Sequence, residues 1–254
     1  MFLEMNYPSE ALRQNVSVNV ILPNSACVGG EASAPYKTLY LLHGLSGDHT
    51  SWMRNTAIER YAAKYNIAVV MPAVARSWYT DTQYGAEYFT FVSRELPEVC
   101  RSYFQGLSDK REDNFVAGLS MGGYGALKVA LTYPENFAGC ISLSGSLDIT
   151  RKNRPTDIRE WRVNFDFAME TPLELEGSEH DLFALARRKN AEGAEFPKIY
   201  LWCGTEDSLI TVNRNFNALL NELAVKHFYA ESEGNHSWKW WDLHIQNALE
   251  FMFK

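Results

Sequence analysis

Basic residues are scarce and scattered: 24 Lys and Arg stand against 31 Asp and Glu, for a net charge of -7, and no Lys/Arg cluster appears anywhere. A nucleic-acid partner needs a basic face for its phosphates, so that class is excluded. Only four cysteines occur, Cys27, Cys100, Cys140 and Cys203, with no C-x-x-C pair. Three of them lie in apolar runs and read as reduced core residues, with metal binding or disulfides as the minor alternative. No run approaches the ~20 apolar residues needed to cross a bilayer. The start, Met1-Phe2-Leu3-Glu4-Met5, has no basic leader, so the expectation is a cytoplasmic protein without a membrane partner. Glycine-rich phosphate loops, dinucleotide fingerprints and zinc spacings are missing too, which leaves no cofactor to expect. Internal repeats and low-complexity tracts are likewise absent.

What is present is a chain of 254 residues with 46% hydrophobic content, enough for one large α/β domain over residues 1–254. Apolar runs suited to buried strands recur at Val16 to Leu22, Thr38 to Leu42, Ile67 to Met71, Asp113 to Leu119, Phe137 to Leu143, Lys198 to Trp202 and Lys226 to Ala230. Between them lie helical patterns. Arg54 to Tyr65 is one, and Glu87 to Phe104, with Phe89, Val92, Leu96, Val99 and Tyr103 in phase and Pro97 bending or dividing it, is another. Strands alternating with helices predict a mostly parallel, doubly wound sheet with helices on both faces. Ser146 to Pro197 is too long for one crossover and is read as a partial cap inserted over the C-terminal edge of the sheet, where such folds bind ligands.

Gly118-Leu119-Ser120-Met121-Gly122 carries the chemistry. A strand runs into it and a helical pattern, Tyr124 to Leu131, leaves it. A serine there sits on a sharp turn with its hydroxyl exposed, flanked by glycines because a Cβ would strike neighbouring backbone. The serine hydroxyl is a weak nucleophile until a base takes its proton and a third group fixes that base. Trp202-Cys203-Gly204-Thr205-Glu206-Asp207 ends one later strand with an acidic pair, and Glu231-Ser232-Glu233-Gly234-Asn235-His236 ends the next with a histidine. Among six histidines, His236 alone follows a strand end after the acidic loop, which makes it the expected general base. Asp207 is preferred to Glu206 as the acid because its shorter arm suits a fixed loop, and Glu206 stays open as the alternative. An oxyanion formed on attack needs two backbone donors. Met121, opening the helix, supplies one; Leu45 in His43-Gly44-Leu45-Ser46-Gly47 supplies the other, and His43 is read as a structural hydrogen-bonding residue. Trp52, Trp78 and Tyr79, each in a loop after a strand, are candidates to wall a small acyl pocket, with packing as the competing role. Trp238, Trp240 and Trp241 begin the last helix and read as core.

These stretches resemble the esterase D and tributyrin esterase branch of the α/β-hydrolases, which includes feruloyl-esterase-like and S-formylglutathione-hydrolase-like enzymes. The likeness lies in Leu41 to Gly47 with Trp52, in Arg76-Ser77-Trp78-Tyr79-Thr80-Asp81, and most specifically in Gly118 to Ala126. It implies an α/β-hydrolase fold and a serine carboxylesterase of short-chain acyl esters, with Ser120 as nucleophile, Asp207 as acid, His236 as base, and the Leu45 and Met121 amides as oxyanion donors. The partner implied is a small-molecule ester, and relatives of this type often assemble, so a homo-oligomer is expected. Glutathione thioester hydrolysis, or acyl transfer from the same acyl-enzyme, is the alternative. Residues 146–197 match no specificity signature and leave the substrate open.

Overall fold

Alternation in the strands decides the layering. In β3 (Thr38–Leu42), Leu39 and Leu41 enter one apolar cluster while Tyr40 and Leu42 enter another. In β5 (Asn114–Leu119), Phe115, Ala117 and Leu119 join the first and Val116 the second. Both strands are buried along their whole length, so helices must cover both faces, as successive side chains point to opposite sides. The computed structural model describes residues 1–23, 35–82, 85–150 and 175–254. The rest, including Cys27, most of the glycine-rich turn after β2 and positions 151–174 of the expected cap, lie outside the described residues.

The sheet has eight strands in the order β1-β2-β4-β3-β5-β6-β7-β8. Its other members are β1 (Phe2–Ser9), β2 (Gln14–Ile21), β4 (Ala68–Pro72), β6 (Gly139–Leu143), β7 (Lys198–Gly204) and β8 (His227–Ser232). β1 pairs antiparallel with β2, and β2 with β4; from β4 to β8 all pairs are parallel. The expected fold class, a mostly parallel sheet covered on both faces, is therefore the fold observed. Helices α1 (Ser51–Asn55), α2 (Ile58–Tyr65) and α8 (Trp238–Phe253) cover one face. On the other lie α3 (Tyr88–Thr90), α4 (Leu96–Tyr103), α5 (Met121–Thr132), α6 (Leu182–Ala191) and α7 (Ile210–Glu222).

The structure corrects three local expectations. β1 was not expected, although Leu3, Met5 and Tyr7 alternate with exposed neighbours and pack on the core. The single helix expected from Arg54 to Tyr65 is two, because the Thr56 hydroxyl bonds the Trp52 carbonyl at 2.6 Å and the Ile58 amide at 3.2 Å, so it closes α1 and opens α2. Pro97 leaves its helical stretch continuous through a π turn at Phe91–Glu95. Proline lacks the amide and crowds the carbonyl four residues back, and a widened turn just before it takes up the misfit. The described end of the 146–197 insertion is regular structure: Asp181 caps α6, accepting from Phe183 and Ala184 amides, and α6 packs beside α5. Among the described residues no helix is long and apolar enough to cross a membrane.

Candidate active site

Ser120 stands between β5 and α5 at φ 54°, ψ -118°, a conformation that L-residues rarely hold. Close packing enforces it. A Cβ on Gly118 would lie 2.2 Å from the Gly122 carbonyl oxygen, and one on Gly122 would lie 2.4 Å from that of Leu42. The turn is locked from both sides, since the Ser120 amide donates to the Leu143 carbonyl (3.0 Å) and its carbonyl accepts from Ser146 (3.1 Å). A strained serine held by a rigid scaffold is characteristic of a functional position.

Two neighbouring loops bring the rest. β7 and β8 run parallel, and beyond their ends Thr205 donates to the Ser232 carbonyl (2.9 Å) and Glu206 to that of Gly234 (2.9 Å). That stitching places His236 between serine and acid. Its Nε2 is 3.0 Å from Ser120 Oγ and its Nδ1 is 2.8 Å from Asp207 Oδ2. With Nδ1 donating to the carboxylate, Nε2 carries the lone pair that faces the hydroxyl. Asp207 is buried, whereas Glu206 is exposed and makes no contact with His236, so geometry separates the two acidic candidates that sequence left together. Burial pushes the Asp207 carboxyl upward, but the hydrogen bonds from His236, the Leu209 amide and Ser144 more than offset it and hold the group below its ordinary range.

On the opposite side of Ser120 lies the loop after β3. A Cβ on Gly44 would stand 2.7 Å from Leu119 Cδ1 and 3.5 Å from Ser120 Cβ, so this backbone passes directly against the serine. Neither the Leu45 nor the Met121 amide donates to a protein acceptor among the described residues. His43 is fully engaged, its Nδ1 2.7 Å from the Gly44 carbonyl and its Nε2 accepting from the Val74 amide at 3.0 Å. Burial lowers its pKa, only partly opposed by the Gly44 carbonyl, and keeps the ring neutral in that bridging role.

Trp52, Trp78 and Tyr79 are buried, at 1%, 4% and 0% exposure, and their faces are taken up by the protein's own contacts. Trp52 Nε1 donates to the Leu42 carbonyl (3.0 Å) and Tyr79 Oη to that of His43 (2.9 Å), while Trp78 meets Tyr124 edge to face. Trp52 and Tyr79 thereby brace the loop after β3, and Trp78 packs on α5. Sequence reasoning missed Ser144 behind the acid, while Trp241, read as core, is buried in it. Ser144, at φ 47°, accepts from Trp241 Nε1 at 3.1 Å, and the Trp241 ring meets His236 edge to face at 4.8 Å. A signal for Ser144 existed: Ser142-Leu143-Ser144-Gly145-Ser146 is a small polar run at the end of a buried strand.

Comparison with known proteins places the chain among esterases. The family model Esterase, described as "Putative esterase", matches residues 9–252. An acetyl esterase of Caldicellulosiruptor saccharolyticus is 38% identical over 262 residues, spanning 99% of this chain and 98% of that one. Among solved structures, the substrate-bound fluorophosphonate-binding serine hydrolase F of Staphylococcus aureus superposes with a TM-score of 0.90 at 35% identity, covering 100% and 98% of the two chains. The S-formylglutathione hydrolase of the same organism, without ligand, gives 0.88 at 34% identity, covering 100% and 99%.

Proposed function

The chain belongs to the Esterase family and is a serine ester hydrolase, and from that premise we propose that it cleaves short-chain acyl esters through Ser120, His236 and Asp207. The observation that carries the reading is the single imidazole bridging a strained serine and a buried carboxylate at 3.0 and 2.8 Å. Each group then has one task. His236 Nε2 takes the Ser120 proton as the oxygen attacks the ester carbonyl, and the Asp207 carboxylate stabilises the imidazolium and fixes its tautomer. The Leu45 and Met121 amides receive the developing oxyanion, with Met121 aided by the positive end of α5. His236 returns its proton to the departing alcohol, leaving an acyl-serine that a water, deprotonated by the same nitrogen, hydrolyses to the free acid.

A small acyl group is supported by the 38% identity to an acetyl esterase along nearly the whole chain. A second reading, hydrolysis of a glutathione thioester, draws support from the 34% identity to an S-formylglutathione hydrolase. Both pass through an acyl-serine, a formyl-serine in the thioester case, and they differ in the acyl group and in whether an alcohol or a thiol leaves. The test is purified protein on p-nitrophenyl esters from acetate to octanoate beside S-formylglutathione, with fluorophosphonate labelling of parent and Ser120→Ala. The expected result is highest kcat/KM on the shortest ester and label on the parent alone. Labelling and turnover that survive in Ser120→Ala would overturn the mechanism, and a higher kcat/KM on the thioester would transfer the assignment to the second reading.

A further inference from the structure

One buried cation is not used by the chemistry above. Lys128 lies on α5, two turns beyond Ser120, and is 2% exposed. Among the described residues its Nζ has three partners: the Tyr79 carbonyl at 3.0 Å, His180 Nδ1 at 3.0 Å, and the face of the Phe89 ring at 4.6 Å from its centre. No carboxylate among the described residues pairs with it directly; Asp81 and Glu179 act only at a distance. A buried ammonium without a contacting counterion is costly, and a methionine would fill the same space without that penalty. Burial accordingly pulls the lysine down to about 7 against the pull of Glu179 and Asp81. Some compensating role in organisation is implied.

The carbonyl that Lys128 holds belongs to a strained turn. Trp78 and Tyr79 are consecutive non-glycine residues at positive φ, 54° and 51°. Such backbone persists only where surrounding groups fix it. Ser77 does so from within, through the Tyr79 amide on its hydroxyl (3.1 Å) and the Thr80 hydroxyl on its carbonyl (2.7 Å), and Lys128 does so from outside. The Tyr79 ring then runs flat over α5 at Gly125, where a Cβ would come within 2.4 Å of it. Its hydroxyl ends 2.9 Å from the His43 carbonyl, at the root of the loop that carries the Leu45 amide. Gly125 and Lys128, three apart on one helical face, thus address the two ends of the same tyrosine.

We infer that Lys128 is a positioning residue for the oxyanion loop, acting through Tyr79 on His43 and so on the Leu45 amide, a role that rests on the esterase reading above. Its bond to His180 ties the same point to the segment leading into α6, whose His180 carbonyl also accepts from Tyr124 Oη at 2.9 Å. The Leu45 amide meets full negative charge only as the oxyanion forms, so its misplacement falls on kcat rather than on KM.

The test compares parent, Lys128→Met, Tyr79→Phe and the double variant in hydrolysis of p-nitrophenyl acetate and in hydrogen exchange of backbone amides 43–48. Each single variant is expected to lower kcat about 10- to 100-fold at nearly constant KM, less than the ~100- to 1,000-fold loss from deleting an oxyanion donor outright. The double variant should lose no more than the worse single, because both break one relay. Exchange at 43–48 should quicken in all three. A folded Lys128→Met with parental kcat and parental protection overturns the inference, as do losses that simply multiply in the double variant. If Lys128→Met does not fold, a Tyr79→Phe variant with parental kcat and parental protection overturns the inference, because the relay passes through that hydroxyl. If the parent shows no Ser120-dependent hydrolysis, the esterase reading fails separately, and the exchange data alone judge the Lys128 relay.

Discussion

Gly204 and Gly234 meet backbone to backbone: a Cβ built on Gly204 would lie 2.0 Å from the Gly234 carbonyl oxygen. One precedes the Asp207 loop and the other precedes His236, and the Glu206 amide donates to that same carbonyl at 2.9 Å. The separation of acid and base is therefore set by the thickness of two bare peptide units.

Gly204→Ala tests that relationship. The added methyl forces the two loops apart, since backbone cannot yield as a flexible side chain does. A displacement of ~1 Å at the imidazole costs on the order of 100-fold in rate. Overpacking of this kind also costs ~1–3 kcal/mol, or about 2–4 °C of melting temperature per kcal/mol for a domain of this size. Turnover of p-nitrophenyl acetate and a thermal melt check both, and a variant with parental kcat would show the contact to be slack.

Asp207→Asn and Glu206→Gln separate the two acidic residues. An amide at 207 can donate to Nδ1 and hold His236 in the tautomer whose Nε2 bears hydrogen, useless as a base toward Ser120. A loss of kcat near 10⁴-fold is expected, the size known for the equivalent change in a serine protease. Glu206 is exposed and bonds His236 nowhere, so its variant should stay within about twofold of the parent. Comparable losses in both would remove the distinction.

The central sheet is legible in the sequence because its strands are buried on both faces: Thr38–Leu42 reads as an unbroken apolar run and matches β3 to the residue. β1 was not, since it lies at the edge with one face open and includes Pro8, so its signal is only the alternation of Leu3, Met5 and Tyr7. Ser120, Asp207 and His236 were legible for a different reason. Each follows the C-terminal end of a parallel strand, and in a doubly wound sheet those ends face one crevice. Lys128 was illegible. A lysine in a helix ordinarily reads as solvated, and only the packing of α5 under Tyr79, Phe89 and His180 reveals that this one is enclosed.

Strain at the nucleophile predicts a stability difference between two inactive variants. Ser120 holds φ 54°, which alanine tolerates no better than serine but glycine adopts freely. Ser120→Gly should therefore melt about 2–4 °C above Ser120→Ala, reflecting ~1 kcal/mol of relieved strain after glycine's greater unfolded-state entropy is subtracted. Both should be inert to fluorophosphonate. Equal melting temperatures would mean that the turn is unstrained in the folded protein.

Acid should weaken the fold in a window set by buried neutral histidines. Burial, helped by nearby Lys128, pulls His180 down to about 3, and burial pulls His244 down to about 4 where its ring stacks on Trp202 and lies 3.2 Å from Ser232 Oγ. In the unfolded chain both rings bind protons near the ordinary value of ~6.5. Below that pH the unfolded state takes up protons that the folded state refuses, so stability is fully present above ~6.5 and drains as pH falls toward each folded value. His244→Gln removes one such site without touching Ser120, His236 or Asp207. The melting temperature of the parent minus that of His244→Gln should therefore decline steadily from pH 6.5 to 4 and stay level above pH 7. A difference that is flat across the acid range would mean that His244 already carries its proton inside the folded protein and that its burial against Trp202 does not keep it neutral.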